Sequence, residues 1–301
     1  MKRFKGLLLL TLVIFLAGFD FSKHSIPRSE IQSGGPPKDG IPAILKPKFV
    51  RAEQAAFMED RDRVLGLMQN GEAKAYPINI LNWHEIVNDT VGGRPVLISY
   101  CPLCGTGMAF VPTFKGKDYT FGVSGLLYKS DVLMYDHQTE SLWSQIRKEA
   151  VTGEMIGSRL TLLPLIHTTW KAWKKEHPLT LILSTDTGYH RDYSRDPYSG
   201  YEDEDRLFFP VGKMDKRFRP KTWVLGIERN GITKAYPFPN LERGPAFITD
   251  MLGSEKVRIE YDRASRTARI KNKNGDDLPT VVAYWFAWTA FHPETEVYEG
   301  P

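Results

Sequence analysis

The sequence predicts an α+β domain that is mainly β, with antiparallel sheets, a duplicated β-β-α-β-β unit and a few short helices. Three observations carry this expectation. The stretch "VLGLMQNGEAKAYP" from Val64 returns as "VLGIERNGITKAYP" from Val224. A second pair, "NDTVGGRPVLISY" (88–100) and "TDMLGSEKVRIEY" (249–261), follows in the same order, as a repeated structural unit requires. Short apolar runs broken by turn residues fill the rest, the pattern of paired strands. The repeats span about 62–113 and 222–272.

Residues 1–21 read as an export signal. Lys2, Arg3 and Lys5 precede the apolar run Gly6 to Phe19, which is shorter than the about 20 residues of a spanning helix. "LAGF" carries Phe19 where a lipoprotein signal would have its cysteine, so no lipid can attach there. The expected location is periplasmic or extracellular, with membrane contact only through this segment, whether it is cleaved or kept as an anchor. Residues 22–46 are polar and rich in Pro and Gly, the composition of a tether. Residues 47–301 are then expected to form a single globular domain. Residues 1–24 carry Lys2, Arg3, Lys5 and Lys23 against Asp20, which is +3 of the net +4. A nearly neutral remainder excludes a nucleic-acid partner, which needs dense positive charge. No other partner is indicated.

Each repeat opens on Asn-Gly (Asn70-Gly71 and Asn230-Gly231) between apolar runs, which predicts a tight hairpin. The proline of KAYP is expected to end the pairing, since it has no N–H to donate. "NILNWHEIVN" has helical spacing, with Ile80, Trp83 and Ile86/Val87 on one face. "RPVLISY" and "MAFVPTF" read as paired strands. Beyond them, "YTFGVSGLLY", "DVLMYDHQTESLWSQI" and "SRLTLLPLI" are expected to form strands. "HTTWKAWKKEHP" should be a short helix capped by Thr168 or Thr169 and stopped by Pro178. "LTLILST" reads as a buried strand, and "VVAYWFAWTAFHPETEVY" as core. The tyrosine- and aspartate-rich loop 186–205 is too long for a simple connector.

The chain has two cysteines, Cys101 and Cys104, both in "CPLCG". The second repeat places Asp262 and Ser265 at the matching positions, so the fold does not need the thiols and a local task is indicated. A strand precedes the pair and a strand follows it, which is a knuckle of the rubredoxin and zinc-ribbon kind. A thioredoxin-like pair would open a helix instead. With one knuckle, the remaining ligands of a metal must come from other residues. Among seven histidines, His167, at the entry to a predicted helix, leads as a ligand, with His137 behind it. His24, His84, His177 and His292 read more simply as structural or solvent-facing, and His190, in the polar loop, reads either way. Thiolate plus imidazole suits zinc or copper. Two other readings stand beside metal binding: thiol–disulfide exchange by the same cysteines, and ligand binding by the loop 186–205. "GVSG" fails the G-x-S-x-G pattern of a serine nucleophile because residue 126 is Leu. A calcium loop from Asp192 fails because its sixth position is Pro197.

"CPLCGTGMAF", "TFGVSGLLYKSDVLMYD", "SLWSQ", "HTTWKAW", "DTGYHRDYSRDPYSGY", "RLFFPV" and "FAWTAFHPET" occur in order over about residues 60–298. Together they resemble the domain of unknown function 3179 family. The resemblance implies an exported prokaryotic protein and brings no activity, catalytic residue or cofactor with it. In that family's pattern the position of His137 often reads Arg, which leaves His167 ahead as a ligand.

Overall fold

The computed structural model describes residues 18–301. Most of the expected signal segment, residues 1–17, therefore lies outside the described residues. The chain is mainly β, with several antiparallel sheets and four short α-helices among the described residues. None of those helices is long and apolar enough to cross a membrane.

The two KAYP stretches form the hairpins that Asn-Gly predicts. Arg63–Gln69 pairs with Glu72–Pro77, and Trp223–Arg229 pairs with Ile232–Pro237. Asn70 (φ 47°) and Gly71 (φ 83°) supply the positive angles of the first turn, and Asn230 and Gly231 those of the second. Each proline is the last residue of its pairing, as KAYP predicts. Pro77 opposes Val64, and Pro237 opposes Val224. Each then caps a helix, Ile78–His84 or Phe238–Arg243. A proline at a strand end loses no ladder bond when the next residues turn away into a helix.

The helix over "NILNWHEIVN" is shorter than its periodicity predicts. It stops at His84, because Glu85 adopts φ 57° and ψ −33°. Ile86 and Val87 then open a strand, Ile86–Val91, that pairs with Arg94–Cys101. A period-3.6 stripe and a buried strand start both place Ile86 and Val87 inside, so spacing alone does not separate them. Thr106–Val111 completes this part. The observed order is β-β-α-β-β-β, one strand more than expected. The second copy follows the same order through Phe247–Leu252, Glu255–Asp262 and Thr267–Lys271.

The correspondence reaches further along the chain than the sequence comparison indicated. The hairpin Arg63–Pro77 lies between Ile166–Thr169, antiparallel, and Leu181–Leu183, parallel. The hairpin Trp223–Pro237 lies between Val281–Tyr284, antiparallel, and Glu296–Val297, parallel. The connecting helices, Trp170–Glu176 and Trp285–Phe291, share a W-x-x-W-x-x-x-H-P-x-T pattern. Their second tryptophans are fixed identically. Trp173 Nε1 donates to Thr180 Oγ1 and Trp288 Nε1 donates to Thr295 Oγ1, both at 2.9 Å. Each indole lies flat over the glycine of its VLG. A Cβ on Gly66 would stand 2.3 Å from the Trp173 ring, and one on Gly226 would stand 2.4 Å from that of Trp288. Thr169 caps the first helix by accepting from Ala172 N, as expected.

The two halves meet in an eight-stranded sheet. Its seam is the pairing of Thr106–Val111, from the first half, with Val281–Tyr284, from the second. Residues 22–46 are not the free tether that composition suggests. Ile31–Ser33 pairs with Phe121–Tyr128, and Ile26 and Ile44 are buried. Ile44 N donates to Ile86 O at 2.8 Å and Ile44 O accepts from Asn88 N at 2.9 Å. Prolines that remove donors are tolerated here because this strip packs along a sheet edge.

Adding one methyl group against a fixed indole overpacks the core, which costs about 3 kcal/mol. Gly66→Ala and Gly226→Ala should each lower the unfolding free energy by about that amount in urea titrations. Near wild-type stability of either would refute this packing account.

Candidate metal-binding site

Two hairpin tips meet at the site. The first is the knuckle. Cys101 pairs with Thr106 to close it, and Cys104 N and Gly105 N donate back to the carbonyls of Cys101 and Pro102 at 3.2 and 3.3 Å. Gly105 has φ 61°, and a Cβ there would stand 2.5 Å from the Trp223 ring, so glycine is required twice over. The second tip joins Phe121–Tyr128 to Asp131–Asp136 through Lys129 (φ 52°) and Ser130 (φ 66°). Two consecutive positive angles mark a two-residue hairpin turn, made here without glycine. Lys129 Nζ donates to Ala290 O at 2.8 Å and holds this tip against the last helix.

The contact between the tips is specific. Cys104 Sγ donates to Ser130 O at 3.3 Å, and Cys101 Sγ reaches the same oxygen at 3.8 Å. Cys101 Sγ, Cys104 Sγ and an Asp131 carboxylate oxygen all lie within 4.8 Å of one another. All three residues are buried, with exposures of 1% or less. Asp131 accepts from Ile146 N at 3.0 Å, while its Oδ1 has no partner. Glu85, 7% exposed, lies close enough for its charge to act on Asp131. Neither carboxylate forms an ion pair among the described residues.

Burial therefore governs the protonation of all four acids, because it disfavours charge. It pushes Asp131 up to about 7 against the bonds from Ile146 N and Val132 N. Burial, with Asp131 nearby, pushes Glu85 up to about 8. Both thiols are raised for the same first reason, Cys104 well above the usual range.

Neither predicted histidine joins this group. His167 is buried in the strand Ile166–Thr169. Its Nε2 donates to Gly107 O at 3.0 Å, three residues beyond Cys104 on the second strand of the knuckle. Burial pulls its pKa down to about 3, so the ring is neutral. His137 is exposed; its Nδ1 bonds Thr120 Oγ1 at 3.0 Å and its ring meets Tyr135 edge-on. The expected imidazole ligands are thus replaced by a carboxylate at the cluster, and the reason is the backbone of Gly107, which claims the His167 nitrogen. Sequence reasoning missed Asp131 and Glu85. One signal was available for Asp131, an acid opening "DVLMYD", a strand whose residues are all buried.

The chain belongs to the family described as "Protein of unknown function (DUF3179)", whose model matches residues 38–278. No curated protein and no solved structure matches the chain.

The depressed pKa of His167 sets a pH dependence. A histidine at about 3 when folded and 6.5 when unfolded lets the unfolded chain bind an extra proton between those values. Its stabilising contribution is complete above 6.5 and is lost as pH falls toward 3. Compared with His167→Gln, which removes this proton and leaves the carboxylates unchanged, wild type should lose about 2 kcal/mol of relative stability between pH 7 and pH 5. Urea unfolding at both pH values measures it, and a pH-independent gap would contradict the buried neutral ring.

Proposed function

We propose that this protein binds zinc through Cys101, Cys104 and Asp131, with Glu85 beside them as a further oxygen donor. The observation that carries this reading is the burial of two thiols and a carboxylate within 4.8 Å of one another, with no cation paired to them among the described residues. Burying ionisable acids together is costly unless a positive charge compensates them. Zinc accepts thiolate sulfur and carboxylate oxygen in one tetrahedral set, at about 2.3 and 2.0–2.2 Å. A spread of 4.8 Å is within side-chain adjustment of that geometry. A carboxylate in the set favours zinc over Cu(I), which prefers soft sulfur throughout. Binding would release the thiol protons, so the raised thiol pKa values belong to the metal-free protein.

The thiol–disulfide alternative draws less support. Exchange needs an accessible thiolate, whereas both sulfurs are buried and their protons are held more tightly than usual. The reading also includes export, supported by Lys2, Arg3, Lys5 and the apolar run after them. It includes duplication of the unit at 62–113 and 222–272, with the thiols added to one copy only.

Protein expressed with zinc supplementation should carry about one equivalent of zinc by elemental analysis. Cys101→Ser, Cys104→Ser and Asp131→Asn should each lose most of it. Metal-free wild type, or full zinc in Asp131→Asn, would overturn the assignment. Asp131→Asn removes a buried acid, so in metal-free protein it should unfold at the same or higher urea than wild type. After zinc loading the order should reverse.

A further inference from the structure

A second site lies where the two halves and the long loop meet. A cavity of about 210 Å³ is enclosed by the start of the first hairpin, the outer face of the knuckle at Pro102, and the loop that carries Tyr198 and Tyr201. Larger clefts occur elsewhere, of about 700 Å³ around Leu179 and about 470 Å³ around Arg269. In the second of these Arg269 is already paired with Glu176 and Asp277, and the first is built around the exposed Leu179. The smaller cavity differs because its arginine makes no ion pair among the described residues.

That cation is Arg63. Among the described residues it forms no ion pair. One of its five N–H donors is used, by Nη1 on Ser265 O at 2.5 Å. Burial, with Arg266 adding repulsion, pulls its pKa down to about 10, and Glu202 offsets this only in part. Glu202 is itself engaged: it accepts from Trp223 Nε1 at 2.7 Å and stands 4.0 Å from Arg266. This half-buried guanidinium keeps free donors, and its fork matches a carboxylate in two parallel bonds.

Two further features define the rest of an occupant. Tyr198 and Tyr201 wall the cavity on the side of the long loop. Asp196, held by Asn82 Nδ2 and Tyr198 N at 2.9 Å each, and Glu202 present acceptor oxygens to the same space. A bare anion would meet those two carboxylates unfavourably. A molecule with an oxyanion at one end and hydroxyl or ammonium donors at the other satisfies both sets. The ring faces of Trp223 and Tyr284, 4.5 Å apart by centroid, give its carbon frame an apolar wall. The volume falls below the about 300–1,000 Å³ of drug-sized sites, which limits the occupant to a small molecule.

We propose that this cavity binds a small hydroxy or amino acid, with its carboxylate on Arg63 and its donors on Asp196 and Glu202. The proposal stands on the cavity and does not require the metal.

Titrating the full chain with L-malate, L-glutamate and D-glucuronate, with D-glucose as the neutral control, tests it by calorimetry and by tryptophan fluorescence. At least one acid should bind saturably, and glucuronate, if it is the one, should exceed glucose at least tenfold. Arg63→Lys, which keeps the charge but loses the fork, should weaken binding at least tenfold. Asp196→Ala, which removes an acceptor for the occupant's donors, should weaken it severalfold, with the circular dichroism of both variants unchanged. Binding should survive EDTA, so loss of the metal leaves this site readable. Silence with all three acids, equal affinity for glucuronate and glucose, or wild-type affinity in Arg63→Lys overturns the proposal.

Discussion

The backbone at Gly107 joins the two halves of this protein, and the site depends on that junction. Gly107 opposes Tyr100 on one side and Val282 on the other, so one residue belongs to the knuckle and to the seam of the large sheet. A Cβ there would stand 2.5 Å from Leu65 and 2.9 Å from His167 Nε2. Its carbonyl takes the His167 N–H, and three residues away Cys104 O accepts from Tyr284 N at 2.9 Å. The knuckle is therefore held from both sides by backbone bonds. Its sulfurs point inward because the strands that carry them are clamped, and no property of the thiols themselves is needed to explain it.

That clamp explains why the chemistry of the site is that of buried acids. A hairpin tip in solvent would leave two ordinary thiols. Here the tip meets a second tip, Lys129-Ser130, whose carbonyl accepts both thiols and whose next residue brings a carboxylate. Low effective dielectric raises every one of these groups together. Four acids that resist ionisation singly become a strong donor set once a cation arrives, since each lost proton then gains a partner. The same enclosure keeps bulk water and exchange partners away from the sulfurs. The second unit keeps the turn but carries Asp262 and Ser265, which bond to each other across the corresponding tip. The two tips thus share a backbone and differ in what they can hold.

Much of the fold could be read from particular residues. Asn-Gly marked both hairpins, and Thr169 and Pro178 bounded the helix Trp170–Glu176. These signals are local, since each acts through the angles or missing donors of a few neighbouring residues. Periodicity failed where two structures bury the same residues, as at Ile86 and Val87. Composition failed for residues 22–46, because a proline-rich segment can line a sheet edge as readily as it can float. The W-x-x-W-x-x-x-H-P-x-T pattern was in plain view but had no meaning without Gly66 and Gly226 beneath the indoles.

The sequence by itself determined the strands, the turns, the knuckle and its two sulfurs, because these follow from short-range backbone geometry. Only the tertiary structure decided which residues complete the site. Asp131 lies 27 residues after Cys104, and Glu85 lies 16 residues before Cys101. His167, the best ligand by its position in the chain, is taken by a carbonyl of the facing strand. Which distant side chains converge depends on how the sheets pack, and no local preference along the chain records that.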